Sequence, residues 1–135
     1  SGRLWPKTTF RSVINWTLGS SSDDAATPLS HIPPTFGVVE VARKGAMTRL
    51  STSVRYAFAK AASDFGPGST DNLQEALPEG SPGWATWNVE GAMQVTDRLE
   101  VRLSGLNLLD LHYRTFGSGI SAPGRNLRAT LSARF

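Results

Sequence analysis

The final ten residues, Asn126-Leu127-Arg128-Ala129-Thr130-Leu131-Ser132-Ala133-Arg134-Phe135, alternate between apolar and polar without a slip. Apolar side chains occupy 127, 129, 131, 133 and 135, and polar ones occupy 128, 130, 132 and 134. Successive side chains point to opposite faces of a strand, so this segment is a strand with one apolar and one polar face. Two structures satisfy that pattern. One is a half-buried strand at the edge of a soluble sheet, and the other is a strand with lipid on one side and water on the other.

The same alternation recurs five times upstream. A strand over 8–18 puts Phe10, Ser12, Ile14, Trp16 and Leu18 opposite Arg11, Val13, Asn15 and Thr17. One over 36–43 turns Val39 and Val41 away from Glu40. One over 48–60 sets Leu50, Thr52, Val54, Tyr56 and Phe58 against Arg49, Ser51, Ser53 and Arg55. One over 84–95 opposes Ala85, Trp87, Val89, Gly91, Met93 and Val95 to Thr86, Asn88, Glu90 and Gln94. The strand over 99–109 begins with Leu99, Val101 and Leu103 on the apolar face and loses phase after Gly105. Leu106 and Leu108 then fall on the polar face and Asn107 on the apolar one, so the chain is expected to bend, bulge or leave the sheet there.

The connections between these strands alternate in length. Residues 19–35, 61–83 and 110–125 form long loops, whereas 44–47 and 96–98 are short turns. Segregation of short turns to one end and long loops to the other is the pattern of an outer-membrane β-barrel, in which the short turns face the periplasm. About ten residues at roughly 3.3 Å each, tilted near 45°, span the apolar band of such a barrel. Aromatics near the strand ends (Phe10, Trp16, Tyr56, Phe58, Trp84, Trp87 and Phe135) fit its interfacial girdles. No run approaches the roughly 18 apolar residues of a membrane helix.

Composition agrees. Hydrophobic residues make up 39% of the chain, the diluted content that results when every second strand residue faces lipid. The formal net charge is +3, yet Arg11, Arg49, Arg55, Arg102, Arg128 and Arg134 are spread over the polar faces of different strands. A nucleic-acid binder gathers its cations on one patch, so no nucleic-acid partner is expected. With no cysteine there is no disulfide framework, thiolate metal site or cysteine nucleophile. The first residues, Ser1-Gly2-Arg3-Leu4-Trp5-Pro6, contain no apolar signal segment.

Specific stretches resemble a known family. Gly80-Ser81-Pro82-Gly83-Trp84-Ala85-Thr86-Trp87-Asn88 resembles the entry to a late barrel strand of TonB-dependent outer-membrane receptors. Asn107-Leu108-Leu109-Asp110 with Tyr113-Arg114 resembles the Asn-Leu-aromatic-Asp-x-x-Tyr signature of their penultimate strand. Gly117-Ser118-Gly119 and Pro123-Gly124-Arg125-Asn126 resemble the last outer loop and the start of the final strand, and Leu29-Ser30-His31-Ile32-Pro33-Pro34 an earlier loop-to-strand junction. Leu109 departs from the family's aromatic, and Leu111 and His112 from its frequent charged residues.

The resemblance implies an all-β, antiparallel, up-and-down transmembrane β-barrel segment, the last six strands of a twenty-two-stranded barrel. It implies residence in the bacterial outer membrane and import of a scarce nutrient, whether iron chelate, haem, cobalamin, metal complex or oligosaccharide. The implied partners are the remaining barrel strands, a plug domain, TonB acting through an N-terminal part not contained in this chain, outer-membrane lipid and the barrel assembly machinery. Leu127, Ala129, Leu131, Ala133 and Phe135 match the terminal-strand pattern that this machinery recognises. The segment Ser1 to Lys7 is then expected at a short periplasmic turn. An open six-stranded sheet has two bare edges, and each unpaired backbone group costs several kcal/mol in hydrocarbon, so both edges need partner strands.

No catalytic constellation is visible. His31 and His112 each lack a second His or Cys at ligand spacing, so neither a metal site nor a cofactor is expected. Asp23 and Asp24 are adjacent and point apart if extended. Gly117-x-Gly119 lacks the strand-to-helix context of a nucleotide site, and Gly66-Pro67-Gly68 is turn chemistry. Ligand contacts are expected from the long loops, with His112, Tyr113, Arg114 and Phe116 as candidates; packing of the loop against its neighbours is the competing role. The chain is expected not to be an enzyme. Two other functions stay open: a soluble extracellular β-sandwich for binding or adhesion, and a barrel enzyme using Asp110, His112 and Tyr113 at the loop rim.

Overall fold

The computed structural model describes residues 7–20, 27–66 and 79–135, and the backbone of 2–5. Asp23-Asp24 and Pro67-Gly68 lie outside the described residues. Six long strands form: β2 (Thr8–Asn15), β3 (Phe36–Lys44), β4 (Thr48–Ala57), β7 (Trp84–Thr96), β8 (Leu99–Leu106) and β9 (Asn126–Ala133). A short strand β1 (Gly2–Trp5) precedes them, and a two-residue pair, β5 (Lys60–Ala61) with β6 (Gly80–Ser81), lies within the second long loop. The main sheet has seven strands in the order β1-β2-β3-β4-β7-β8-β9, and every pair is antiparallel. The chain is therefore an all-β, up-and-down meander with the fold of a barrel segment.

Register decides which residues share a face, because directly opposed residues point the same way. One continuous row runs Phe10, Val41, Thr52, Val89, Gly105, Leu127. A second runs Thr8, Arg43, Leu50, Gly91, Leu103, Ala129. These rows collect the alternating apolar residues of all six strands on one face. The opposite face carries Arg11, Glu40, Lys44, Arg49, Arg55, Glu90, Glu100, Arg102 and Arg128. Among the described residues of the main sheet, Arg43 is the sole charged group on the apolar face. A one-residue slip in any strand would exchange its faces, so the common phase fixes the register of the whole sheet.

Neither face is covered. Leu127 is 77% exposed and Leu131 68%, and the buried apolar residues among those described are Ala42, Ala57 and Phe65. A two-layer sandwich needs a second sheet packed on the first. Besides the main sheet, the described residues supply the two-residue β5–β6 pair. Polar groups on the apolar face satisfy one another: the indole N–H of Trp87 donates to Thr52 Oγ1 at 2.8 Å. On the charged face Arg102 reaches Glu100 at 3.1 Å and Glu90 at 4.0 Å, and Ser104 donates to Glu90.

Several expectations are corrected at the strand ends. The segment 1–7 is not simply a turn, because Gly2–Trp5 pairs with β2 and the reversal falls beside Lys7, whose φ is +66°. Trp16, Leu18 and Phe58 lie past their ladders, which close at Asn15 and Ala57. Trp84 opposes Ala57 in the row of Phe36 and Asn15, so it sits on the charged face and is no part of an outer girdle.

The phase slip after Gly105 is resolved by a bulge. Asn107 takes a left-handed conformation (φ +49°), and the next amide, Leu108 N–H, donates to Trp87 O at 2.9 Å. Leu108 thereby occupies the ladder position that Asn107 would have held. A Cβ on Gly105 would meet Leu108 Cδ2 at 2.8 Å and Leu127 Cδ2 at 3.6 Å, so Leu108 folds back onto the apolar face. Asn107 was expected on that face. Instead it is buried, because its side chain bonds the backbone of the loop that follows.

Candidate functional site

The long loops leave one end of the sheet and the short turns the other. The first long loop, 16–35, is pinched where Ser20 bridges Pro28 and Leu29 N–H donates to Gly19 O at 3.2 Å. The second, 58–83, is held at its base by the β5–β6 pair. A Cβ on Gly80 (φ +125°) would lie 2.3 Å from Lys60 O, so no other residue closes that base. A short 3-10 turn, Ala62–Asp64, follows β5 and delivers Phe65 to a buried position.

The third loop, 107–125, is clasped at its root. Asn107 N–H donates to Asn88 Oδ1 at 2.9 Å, tying the loop to the charged face of β7. The Asn107 side chain donates to Leu111 O at 2.8 Å and accepts from Leu111 N–H at 3.0 Å. The Asp110 carboxylate accepts from Arg125 N–H at 2.7 Å, joining the loop's two ends. Tyr113 packs on Trp84 with ring centroids 4.4 Å apart and the rings tilted by 38°. Thr86, one strand row below Trp84 on the charged face, is only 2% exposed.

Lys60 is where the three loops meet. Its ammonium donates to Ile32 O in the first loop and lies 5.1 Å from the Phe65 ring and 5.2 Å from the Phe116 ring. Those two rings stack at 6.2 Å, one from the second loop and one from the third. The half-buried cation is thus held by two π-faces and a carbonyl, which attract it electrostatically. Beside it opens a cavity of about 600 Å³, lined by Trp16, Leu18, Ile32, Pro33, Lys60 and Asp64 among others. Its walls mix apolar side chains with the hydroxyls of Thr17, Ser20 and Thr35, one cation and one carboxylate.

The four candidate contact residues have different surroundings. Tyr113 and Phe116 pack against Trp84 and Phe65. His112 is exposed and Arg114 half-buried, and neither has a polar partner among the described residues. Asp110 is engaged by the backbone and, at 4.0 Å, the guanidinium of Arg125. Lys60 and Phe65 carried no sequence signal, and Ile32 was read only as part of a loop-to-strand junction; a lysine and a phenylalanine in a polar loop are unremarkable until the loops are folded together. Leu127, Ala129, Leu131 and Ala133 lie on the apolar face of the edge strand β9, and Phe135 is fully exposed beyond it. No group of three His, Cys, Asp or Glu able to hold a metal occurs among the described residues.

No family model and no curated protein matches the sequence. Among solved structures the chain superposes on the copper transporter OprC with a TM-score of 0.81 at 17% identity. The match covers 98% of this chain and 22% of that one, so this chain spans about a fifth of the transporter's length. At that identity the likeness concerns fold alone.

Proposed function

We propose that this chain is the C-terminal barrel portion of a TonB-dependent receptor that imports a scarce nutrient across the bacterial outer membrane. The observation that carries this reading is the separation of charge between the faces: Arg43, at the last apolar-face position of β3, is the sole charged main-sheet residue on that face among those described. A charge at the bilayer midplane costs about 2–4 kcal/mol, and a barrel wall meets that constraint by turning every other charge to the lumen. The likeness to a transporter wall and the receptor-like signature at Asn107-Leu108-Leu109-Asp110 support the same reading. The edges at β1 and β9 are closed by further barrel strands, a plug fills the lumen, and TonB supplies the energy through the plug-bearing part.

In this role the chain is not an enzyme; the loop cluster around Lys60 and its cavity form part of the outer vestibule, with His112 and Arg114 turned toward ligand. The ligand class stays among iron chelates, haem, cobalamins, metal complexes and oligosaccharides. Copper belongs to the structural neighbour's name. The test is intact mass spectrometry of the chains that co-purify with this one from detergent-extracted outer membranes. A polypeptide, or a longer form of this one, bearing a plug and about sixteen further strands is the expected result. A folded species that stays monodisperse in water without detergent would sink the proposal.

A further inference from the structure

The short-turn end of the sheet has a charge character of its own. Lys7 lies in the β1–β2 reversal, and Lys44 N–H donates to Lys7 O at 2.8 Å, which brings that reversal against the end of β3. Arg43 and Lys44 are the last two residues of β3, one on each face, and Thr8 opposes Arg43 directly. Two strands further along, Arg98 lies in the turn between β7 and β8, and Arg134 N–H donates to its carbonyl at 2.9 Å. Lys7, Arg43, Lys44, Arg98 and Arg134 are all exposed, and no ion pair engages them among the described residues. Arg49 opposes Lys44 on the charged face, and Asp97 is the acidic residue of this rim. Directly opposed like charges repel, so Lys44 and Arg49 raise the demand for an external anion.

Arg43 gives that anion its location. It stands on the apolar face at the end of its strand, where a long side chain can keep its stem against hydrocarbon and extend its guanidinium to the interface. With strands roughly 4.8 Å apart, the Lys7–Arg43–Lys44 group and the Arg98–Arg134 group sit about 15–20 Å apart along the rim. We propose that this rim is a docking surface for anionic phospholipid headgroups of the leaflet in which the short turns lie, with the phosphodiester as the recognised group. The occupant follows from charge complementarity and from the position of Arg43 between the apolar face and water. This inference rests on the proposed membrane role and adds a lipid preference to it.

The test uses the full receptor that contains this segment, purified in detergent and equilibrated with equal amounts of phosphatidylglycerol and phosphatidylcholine. Native mass spectrometry counts the lipids retained. Phosphatidylglycerol adducts are expected to exceed phosphatidylcholine adducts, and to fall by about fivefold for each cation removed, the order for one basic side chain at an anionic surface. The variants are the triple change Lys7→Gln, Arg43→Gln, Lys44→Gln and the pair Arg98→Gln, Arg134→Gln. Arg43→Lys with Lys44→Arg retains the preference and controls for folding. Millimolar inorganic phosphate leaves it unchanged, which separates a headgroup site from a free-phosphate site. Equal retention of the two lipids by the unmodified protein, or a preference untouched by both charge-removing variants, overturns the inference while leaving the membrane reading intact. A protein that partitions into neither detergent nor bilayers removes both.

Discussion

Placing one arginine at adjacent positions of β4 tests the assignment of the faces. Val54 lies on the apolar face between Val39 and Trp87, and Ser53 on the charged face between Glu40 and Asn88. Val54 is one and a half residues from the midpoint of the strand Thr48–Ala57. In the proposed barrel, at roughly 3.3 Å per residue and a 45° tilt, it would sit about 3.5 Å from the bilayer midplane. Arg at that depth on a lipid-facing wall costs about 2–4 kcal/mol. Since 1.4 kcal/mol is tenfold, Val54→Arg shifts the folding equilibrium in bilayers about 30- to 700-fold. Ser53→Arg adds the same side chain toward water and opposite a carboxylate, where an exposed pair is worth at most about 1 kcal/mol. Urea titration of the full barrel in vesicles, followed by heat-modifiable gel mobility, reads both. If Ser53→Arg cost as much as Val54→Arg, or more, the charged face would be the buried one and the barrel-wall reasoning would be wrong.

Three further changes probe the loops and the terminus. Asn107→Ala leaves the Leu111 amide and two carbonyls without their part-buried partner, costing about 1 kcal/mol or more, and Asn107→Gly relieves the backbone while losing the same bonds. Both are expected to speed hydrogen exchange at Leu111 and proteolysis within 107–125 while β7–β8 amides stay protected; unchanged exchange at Leu111 refutes the clasp. Lys60→Met keeps the stem and removes the cation from two rings, a loss of about 1 kcal/mol or more. Faster cleavage near 58–66 and 113–116 is expected, and equal cleavage of variant and parent counts against Lys60 as the meeting point. Deleting Phe135, which is fully exposed and outside the ladder, is expected to lower the yield of barrel in the outer membrane and leave transport per folded molecule unchanged; normal yield argues against its role in assembly.

Strand positions were legible because period-two alternation is a local signal that burial does not need to confirm. Every apolar-face residue inferred within the ladders, from Phe10 to Ala133, falls in the same set of rows except Val95, which the register shift between Gln94 and Thr96 leaves unpaired. The ladder ends were less legible. Trp16 and Leu18 keep the alternation, yet the neighbour strand β3 starts at Phe36, opposite Asn15, and offers them no partner. Trp84 belonged by type to an aromatic belt, but alternation counted from Ala85 already assigns it to the other face. The loop cluster had no periodicity to read. Lys60, Phe65, Phe116 and Ile32 come together through three separate segments, and nothing local in any one of them specifies the other two.

The phase slip after Gly105 shows how one local conflict resolves two structural demands. A continued ladder would have turned Asn107 toward the apolar face and Leu108 toward the charged one. Inserting one residue in the left-handed conformation reverses both, and Asn is among the few residues that adopt it at little cost. The missing side chain at Gly105 leaves the space that Leu108 fills beside Leu127, so the apolar face stays continuous into the last strand. The displaced Asn107 amide, no longer part of the ladder, becomes the donor and acceptor that fix the root of the last loop. The Asn and Leu of the signature therefore act together: Leu108 completes the wall because Asn107 leaves it, and Asn107 can clasp the loop because Leu108 has taken its ladder position.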